Sequence, residues 1–247
     1  MIAYLSSHIG GSYKENGIRI PTQLIADNGF LESLQQHWKD NSDVLIISSD
    51  PDSSETNDSI RDVFAEAFPM SGLSIRRMQI CDKRNEEIVA QIADYDVLIL
   101  AGGHVPTQNA FFQKIRLKER IKDFDGILIG ISAGTMNCAE TVYAQPELEG
   151  ESIDKEYRRF LSGLGITRLM ILPHFQYIRN NILDGKRIME DITLPDSYGR
   201  EFYGLTDGSY VMIENETMTL HGEAYLIRDG ELTQICEKDR CVTISPN

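Results

Sequence analysis

The serine in Gly130-Ile131-Ser132-Ala133-Gly134 carries the sharpest chemical signal in this chain. It directly follows an apolar run and opens a helical pattern through Met136, Asn137 and Glu140. A serine on a tight strand-to-helix turn presents its hydroxyl above a sheet, and flanking glycines make room for the backbone. The same turn aims the helix N-terminus and the Ala133 amide at an oxygen the serine attacks. Gly and Ser are common in ordinary turns as well, so the position after a buried strand is what favours a nucleophile.

A nucleophilic serine needs a base, and the histidines are His8, His37, His104, His174 and His221. His174 stands in Leu172-Pro173-His174-Phe175, just after another apolar run. Open α/β sheets place their sites in loops at the carboxyl ends of the strands, where Ser132 and His174 both fall. His37 reads as a boundary residue and His221 as structural. The base needs an orienting carboxylate. Asp207, in Gly204-Leu205-Thr206-Asp207-Gly208, is the leading candidate, although Asp-Gly is also a plain turn dipeptide. Glu147 and Glu149 are rival acids, expected to be solvated. Ala101-Gly102-Gly103 ends a further apolar strand and offers a second amide, from Gly103, for an oxyanion hole. A turn needing positive φ would use the same glycines.

These residues require a scaffold that delivers strand ends to one place. Apolar runs at Ile2–Leu5, Asp43–Ser48, Asp96–Ala101 and Gly126–Ile131 read as strands, the last two unbroken and so buried on both faces. Leu169–Leu172 is a shorter run of that kind, and Leu73–Ile80 reads as a half-exposed edge. Helical spacing appears at Phe30, Leu31, Leu34 and Trp38, and again from Ile60 to Phe68 with Asp58 or Ser59 as cap. Further helices are expected at Asn85–Ala93, Gln108–Asp123, Ala133–Glu140 and Asn180–Asp191. The alternation predicts an α/β doubly wound, mostly parallel sheet flanked by helices. Short strands from Phe202 to Ile235, with turns at Asn215-Glu216 and Asp229-Gly230, predict a C-terminal β meander. With no linker or repeat, the whole of 1–247 is expected to be a single domain.

The order Ser132, His174, Asp207 differs from the Ser, acid, His order of α/β-hydrolases, and the tail has too few helix–strand repeats to complete that sheet. Composition sets the remaining bounds. A net charge of −14 over 247 residues argues against nucleic acid and against anionic lipid. It leaves the sign of a substrate open. The start of the chain lacks a signal-peptide pattern and no run is long enough to span a membrane, so a cytoplasmic protein is expected. Cys81, Cys138, Cys236 and Cys241 form no disulfide framework. Cys236-x4-Cys241 lacks a matching ligand pair, so no metal and no cofactor are expected. The exposed edge of the meander allows a homodimer.

Together, Ala101-Gly102-Gly103, Gly130–Gly134, Pro173-His174-Phe175 and Leu205-Thr206-Asp207-Gly208 resemble peptidase family S51. This is the dipeptidase E and cyanophycinase group, with a fold like class I glutamine amidotransferases. The resemblance implies Ser132 as nucleophile, His174 as base, Asp207 as acid, and Gly103 and Ala133 as oxyanion donors. Glutamate often stands where this chain has Asp207. After the glycines this chain continues His104-Val105-Pro106-Thr107, where the family commonly has a short polar residue. Dipeptidase E binds an N-terminal aspartate through an arginine beyond the histidine. Arg179 and Arg187 lie in that stretch, out of clean register, and with His104 they are the candidate substrate-binding residues. The expected function is a serine peptidase acting on small peptides through an acyl-enzyme. A polymer-cleaving enzyme, an esterase or amidase with the same triad, and a non-catalytic binding protein on this fold are the alternatives.

Overall fold

A computed structural model describes residues 1–245. The first half of the chain supplies β1 (Ile2–Ser6), the hairpin of β2 (Gly10–Glu15) and β3 (Ile18–Leu24), and then β4 (Ser42–Ile47). It continues with β5 (Ile75–Cys81), β6 (Val97–Leu100) and β7 (Ile127–Ile131). Short strands follow: β8 (Thr141–Tyr143), β9 (Phe160–Ser162), β10 (Met170–Leu172), β11 (Ile182–Leu183) and β12 (Lys186–Arg187). The tail contains β13 (Glu201–Leu205), β14 (Tyr210–Glu214) and β15 (Thr217–His221), followed by β16 (Ala224–Arg228), β17 (Glu231–Cys236) and β18 (Cys241–Ile244).

The central sheet has eight strands in the order β18-β15-β14-β1-β7-β6-β4-β5. The five from β1 to β5 in that order are mutually parallel, and β14, β15 and β18 extend the sheet antiparallel beyond β1. Strands β4, β6 and β7 are buried at every position, as unbroken apolar runs require. Their side chains alternate between two cores. Val44, Ile46, Val97, Ile99, Ile127 and Ile129 meet Phe30, Leu34 and Phe68 from the helices Phe30–His37 and Ser54–Met70. Leu45, Ile47, Leu98, Leu100 and Leu128 meet Phe111 and Phe112 from the helix Val105–Lys114.

The second core also holds Ile171, Tyr203 and Leu205, which belong to a separate four-stranded sheet. That sheet runs β10-β13-β16-β17, with β10 parallel to β13 and the others antiparallel. Its opposite face buries Leu172, Phe202 and Ile227 with Tyr143, Phe175 and Met189. The expected meander is therefore corrected: the tail strands form, but they divide between two sheets. Strands β14, β15 and β18 join the central sheet, whereas β13, β16 and β17 join β10. Alternating apolar residues set a face, while the partner sheet is chosen by long-range packing that strand periodicity does not encode.

Four helix expectations also change. The residues 180–191 form the β11–β12 hairpin and a π-helical segment, Ile188–Thr193, because Asp184 and Gly185 turn the chain at φ 52° and 79°. The helix expected over 108–123 starts at Val105 and breaks where Arg116 adopts φ 55°. The second helix begins at Ser54, ahead of the Asp58 or Ser59 cap, with Ser53 preceding it. The stretch 85–93 forms a kinked 3-10 segment, Glu86–Asp94.

Candidate active site

Four parallel strands deliver their carboxyl ends to one edge of the central sheet. β7 ends at Ser132, β6 at Ala101-Gly102-Gly103, β4 at Ser48-Ser49 and β1 at Ser7-His8. Ser132 adopts φ 51° and ψ −112°, a conformation that an L-residue keeps only where its surroundings impose it. Its backbone N–H donates to the Ser6 carbonyl at 3.0 Å, and Thr135 Oγ1 donates to the same oxygen at 2.8 Å. The two glycines around it are required by close approach. A Cβ on Gly130 would stand 2.9 Å from Thr135 Cα, and one on Gly134 would stand 2.1 Å from the Leu100 carbonyl oxygen.

His174 and Asp207 follow β10 and β13, parallel neighbours in the second sheet, so their loops emerge side by side. His174 takes φ 55°, the left-handed region, at the entry to the short helix Phe175–Ile178. Its Nε2 lies 3.0 Å from Ser132 Oγ and its Nδ1 lies 2.6 Å from Asp207 Oδ1. The structure thus brings the three residues into one hydrogen-bonded line. Burial pushes the Asp207 carboxyl up, but hydrogen bonds from His174 and Ser7 and the His174 charge outweigh it and hold the pKa at about 2.

Gly102 and Gly103 run beside Ser132, since a Cβ on Gly102 would lie 3.3 Å from Ser132 Cβ. Neither has positive φ, which corrects the turn-based reading of this pair. Gly103 is needed for space, because its Cβ would fall 2.4 Å from Ser49 Oγ. Among the described residues, the backbone N–H groups of Gly103 and Ala133 donate to no protein acceptor.

The other candidates lie around this centre or away from it. His104 is held between Thr107 Oγ1 and Glu151 Oε1, both at 2.7 Å. Glu147 departs from simple solvation: its Oε1 accepts from the Val105 amide at 3.3 Å and lies 4.0 Å from His104 Nε2. Burial pushes its carboxyl up, opposed by the charges of His104 and, more weakly, His174. Arg179 lies over the Tyr225 ring, with the guanidinium carbon 5.7 Å from the centroid. Arg187 pairs with Asp191 at 3.0 Å on the exposed hairpin. Neither arginine bonds to Ser132, His174 or Asp207. His221 stacks on Tyr210 at 4.6 Å, and His37 hydrogen-bonds the Tyr4 hydroxyl at 2.7 Å.

Sequence reasoning missed two neighbours. Ser7 is fully buried and bonds to both His174 and Asp207. His8 has its ring 6.5 Å from that of His174, and burial holds its pKa below the usual histidine value. Only their place after β1 could have pointed to them, as no motif surrounds either. Among the described residues, no group of three or more His, Cys, Asp or Glu is placed to hold a metal ion. Among the described residues, no helix is long and apolar enough to cross a membrane.

Comparison with known proteins agrees with this arrangement at the level of family and fold. None of the curated proteins matches the chain. Among solved structures, one from Listeria monocytogenes EGD-e, described as a candidate peptidase E, superposes with a TM-score of 0.54 at 16% identity. The match covers 95% of this chain and 97% of that one, so the two share a fold over nearly their full lengths. The sequence model of peptidase family S51 matches residues 24–221, a span that includes the serine, histidine and aspartate loops. The chain belongs to peptidase family S51.

Proposed function

We propose that this chain is a serine peptidase that cleaves small peptides through an acyl-enzyme, with Ser132 as nucleophile, His174 as base and Asp207 as acid. The observation that carries the reading is the single imidazole that reaches Ser132 Oγ at 3.0 Å and Asp207 Oδ1 at 2.6 Å. The Asp207 carboxylate accepts the Nδ1–H, which leaves Nε2 as the lone-pair nitrogen facing the serine. Ser132 Oγ attacks the scissile carbonyl as its proton passes to Nε2. The oxyanion is received by the Gly103 and Ala133 amides, whose hydrogens have no acceptor among the described residues. Collapse of the adduct breaks the C–N bond, and the imidazolium returns its proton to the leaving amine. Water, deprotonated by the same nitrogen, then releases the acyl group and restores the serine.

Membership of a peptidase family supports peptides over simple esters as substrates. Neither arginine considered for an acidic side chain is bonded to the serine, histidine or aspartate, so an aspartyl preference is not part of this reading. The test is a panel of aspartyl, glutamyl and neutral dipeptides beside simple esters, run on wild type and Ser132→Ala. Peptide hydrolysis that disappears in the variant is the expected result. Equal turnover by both proteins would overturn the reading.

A further inference from the structure

We infer that Ser7 is a positioning residue for this site, acting through Asp207 and His174; the inference rests on the triad reading above. Ser7 follows β1, which lies beside β7 in the central sheet. His174 and Asp207 belong to the second sheet. The nucleophile and its base are therefore carried by different sheets, and something must hold the two in register.

Ser7 does so with its amide and its hydroxyl. Its backbone N–H donates to the Ser209 carbonyl at 3.1 Å, beside the Asp207 turn. Its Oγ accepts the backbone N–H of His174 at 2.7 Å. An amide can only donate, so the hydroxyl hydrogen is left for Asp207 Oδ1, 2.8 Å away. That oxygen also receives His174 Nδ1–H, so two donors fix the carboxylate in the orientation that selects the tautomer. Ser7 is 0% exposed, so its own hydroxyl is committed to these two protein partners. The preceding residue grips the other partner: the Ser6 carbonyl accepts from the Ser132 N–H and from Thr135 Oγ1. The dipeptide Ser6-Ser7 thus sets the distance between nucleophile and base.

A double-mutant cycle tests this with a fluorophosphonate probe, which needs no known substrate. Ser132 Oγ displaces fluoride from phosphorus, its proton passing to His174, so the rate of adduct formation reads the same activation. Ser7→Ala should slow labelling by about 10- to 100-fold, the range for loss of a buried hydrogen bond to a charged group. In an Asp207→Ala background the same substitution should slow labelling by a clearly smaller factor, because the carboxylate is gone and only the bond to the His174 amide is left to lose. If Ser7→Ala unfolds, as followed by circular dichroism, Ser7→Cys takes its place in the cycle with a similar shape and a weak donor.

An equal fold-loss in both backgrounds would mean that Ser7 serves packing alone, and the inference fails. It fails equally if Ser7→Ala labels at the wild-type rate. In both cases a wild type that labels at Ser132 leaves the triad reading standing. A wild type that does not label removes that reading, and this inference with it.

Discussion

His174 and Ser132 meet at 3.0 Å although they are carried by different sheets. Ser132 sits at the end of β7 in the central sheet, and His174 at the end of β10 in the second. Their alignment depends on how one sheet packs against the other, through residues such as Leu98, Leu128, Ile171 and Tyr203. The geometry of the candidate site and the packing of the core are the same problem in this molecule.

Asp207→Asn should keep the fold and lose the chemistry. An amide in that place favours the wrong imidazole tautomer, so Nε2 would carry a hydrogen towards the serine. A fall in kcat of about 10⁴-fold is expected, with KM little changed. Steady-state kinetics on the best peptide of the panel gives the answer, and a variant within tenfold of wild type would remove Asp207 from the acid role.

The same carboxylate should appear in acid stability. Its folded pKa of about 2 is below the ordinary value of 3.8, so ionised Asp207 contributes stability above the ordinary value and loses it as pH falls through about 2. Because Asp207 is exposed, solvent screening cuts the contribution to about 1 kcal/mol. Chemical denaturation of wild type and Asp207→Ala should show a gap that is largest above about pH 5 and narrows steadily towards pH 2. A gap that stays constant with pH would mean that the carboxylate is not selectively stabilised.

Gly134→Ala tests the packing beneath Ser132. The added Cβ would stand 2.1 Å from the Leu100 carbonyl oxygen, a backbone atom that cannot swing aside. Overpacking of this kind costs roughly 1–3 kcal/mol. A thermal midpoint lowered by several degrees is expected, together with slower fluorophosphonate labelling as Ser132 shifts. An unchanged midpoint would show that β6 and the nucleophile turn are not in close contact.

Gly103→Ala separates the oxyanion loop from the triad. Its Cβ would meet Ser49 Oγ at 2.4 Å and displace the amide proposed to receive the oxyanion. Loss of one such donor typically lowers kcat by 10²- to 10³-fold. Kinetics should show that drop together with a stability loss of roughly 1–3 kcal/mol from the clash, whereas full activity would place the second donor elsewhere.

How far the sequence carried these conclusions varied with the range of the interactions. Strands β4, β6 and β7 were legible because burial on both faces leaves an unbroken apolar run, and Ser132 was legible because it terminates one of them. His174 and Asp207 were legible as polar residues following apolar strands. The separate sheet that carries them was not, since nothing in Met170–Leu172 or Glu201–Leu205 names the strand it will pair with. Strand β18 and the β2–β3 hairpin escaped notice because their half-exposed residues lack a sustained apolar pattern. Residue spacing predicts helix across Asp184-Gly185, where the chain forms a hairpin, because apolar spacing on either side outweighs a turn dipeptide that at Asp229-Gly230 predicts the turn. Ser7 had no local signal at all, because its role arises from contacts with residues more than 160 positions away.

The central claim is that Ser132 is an activated nucleophile, and mass spectrometry of the fluorophosphonate-treated protein tests it most directly. The account predicts one adduct per chain, on the peptide containing Ser132, formed rapidly by wild type and far more slowly by His174→Ala. Folded wild-type protein with no adduct at Ser132, or with labelling indifferent to His174, would contradict it.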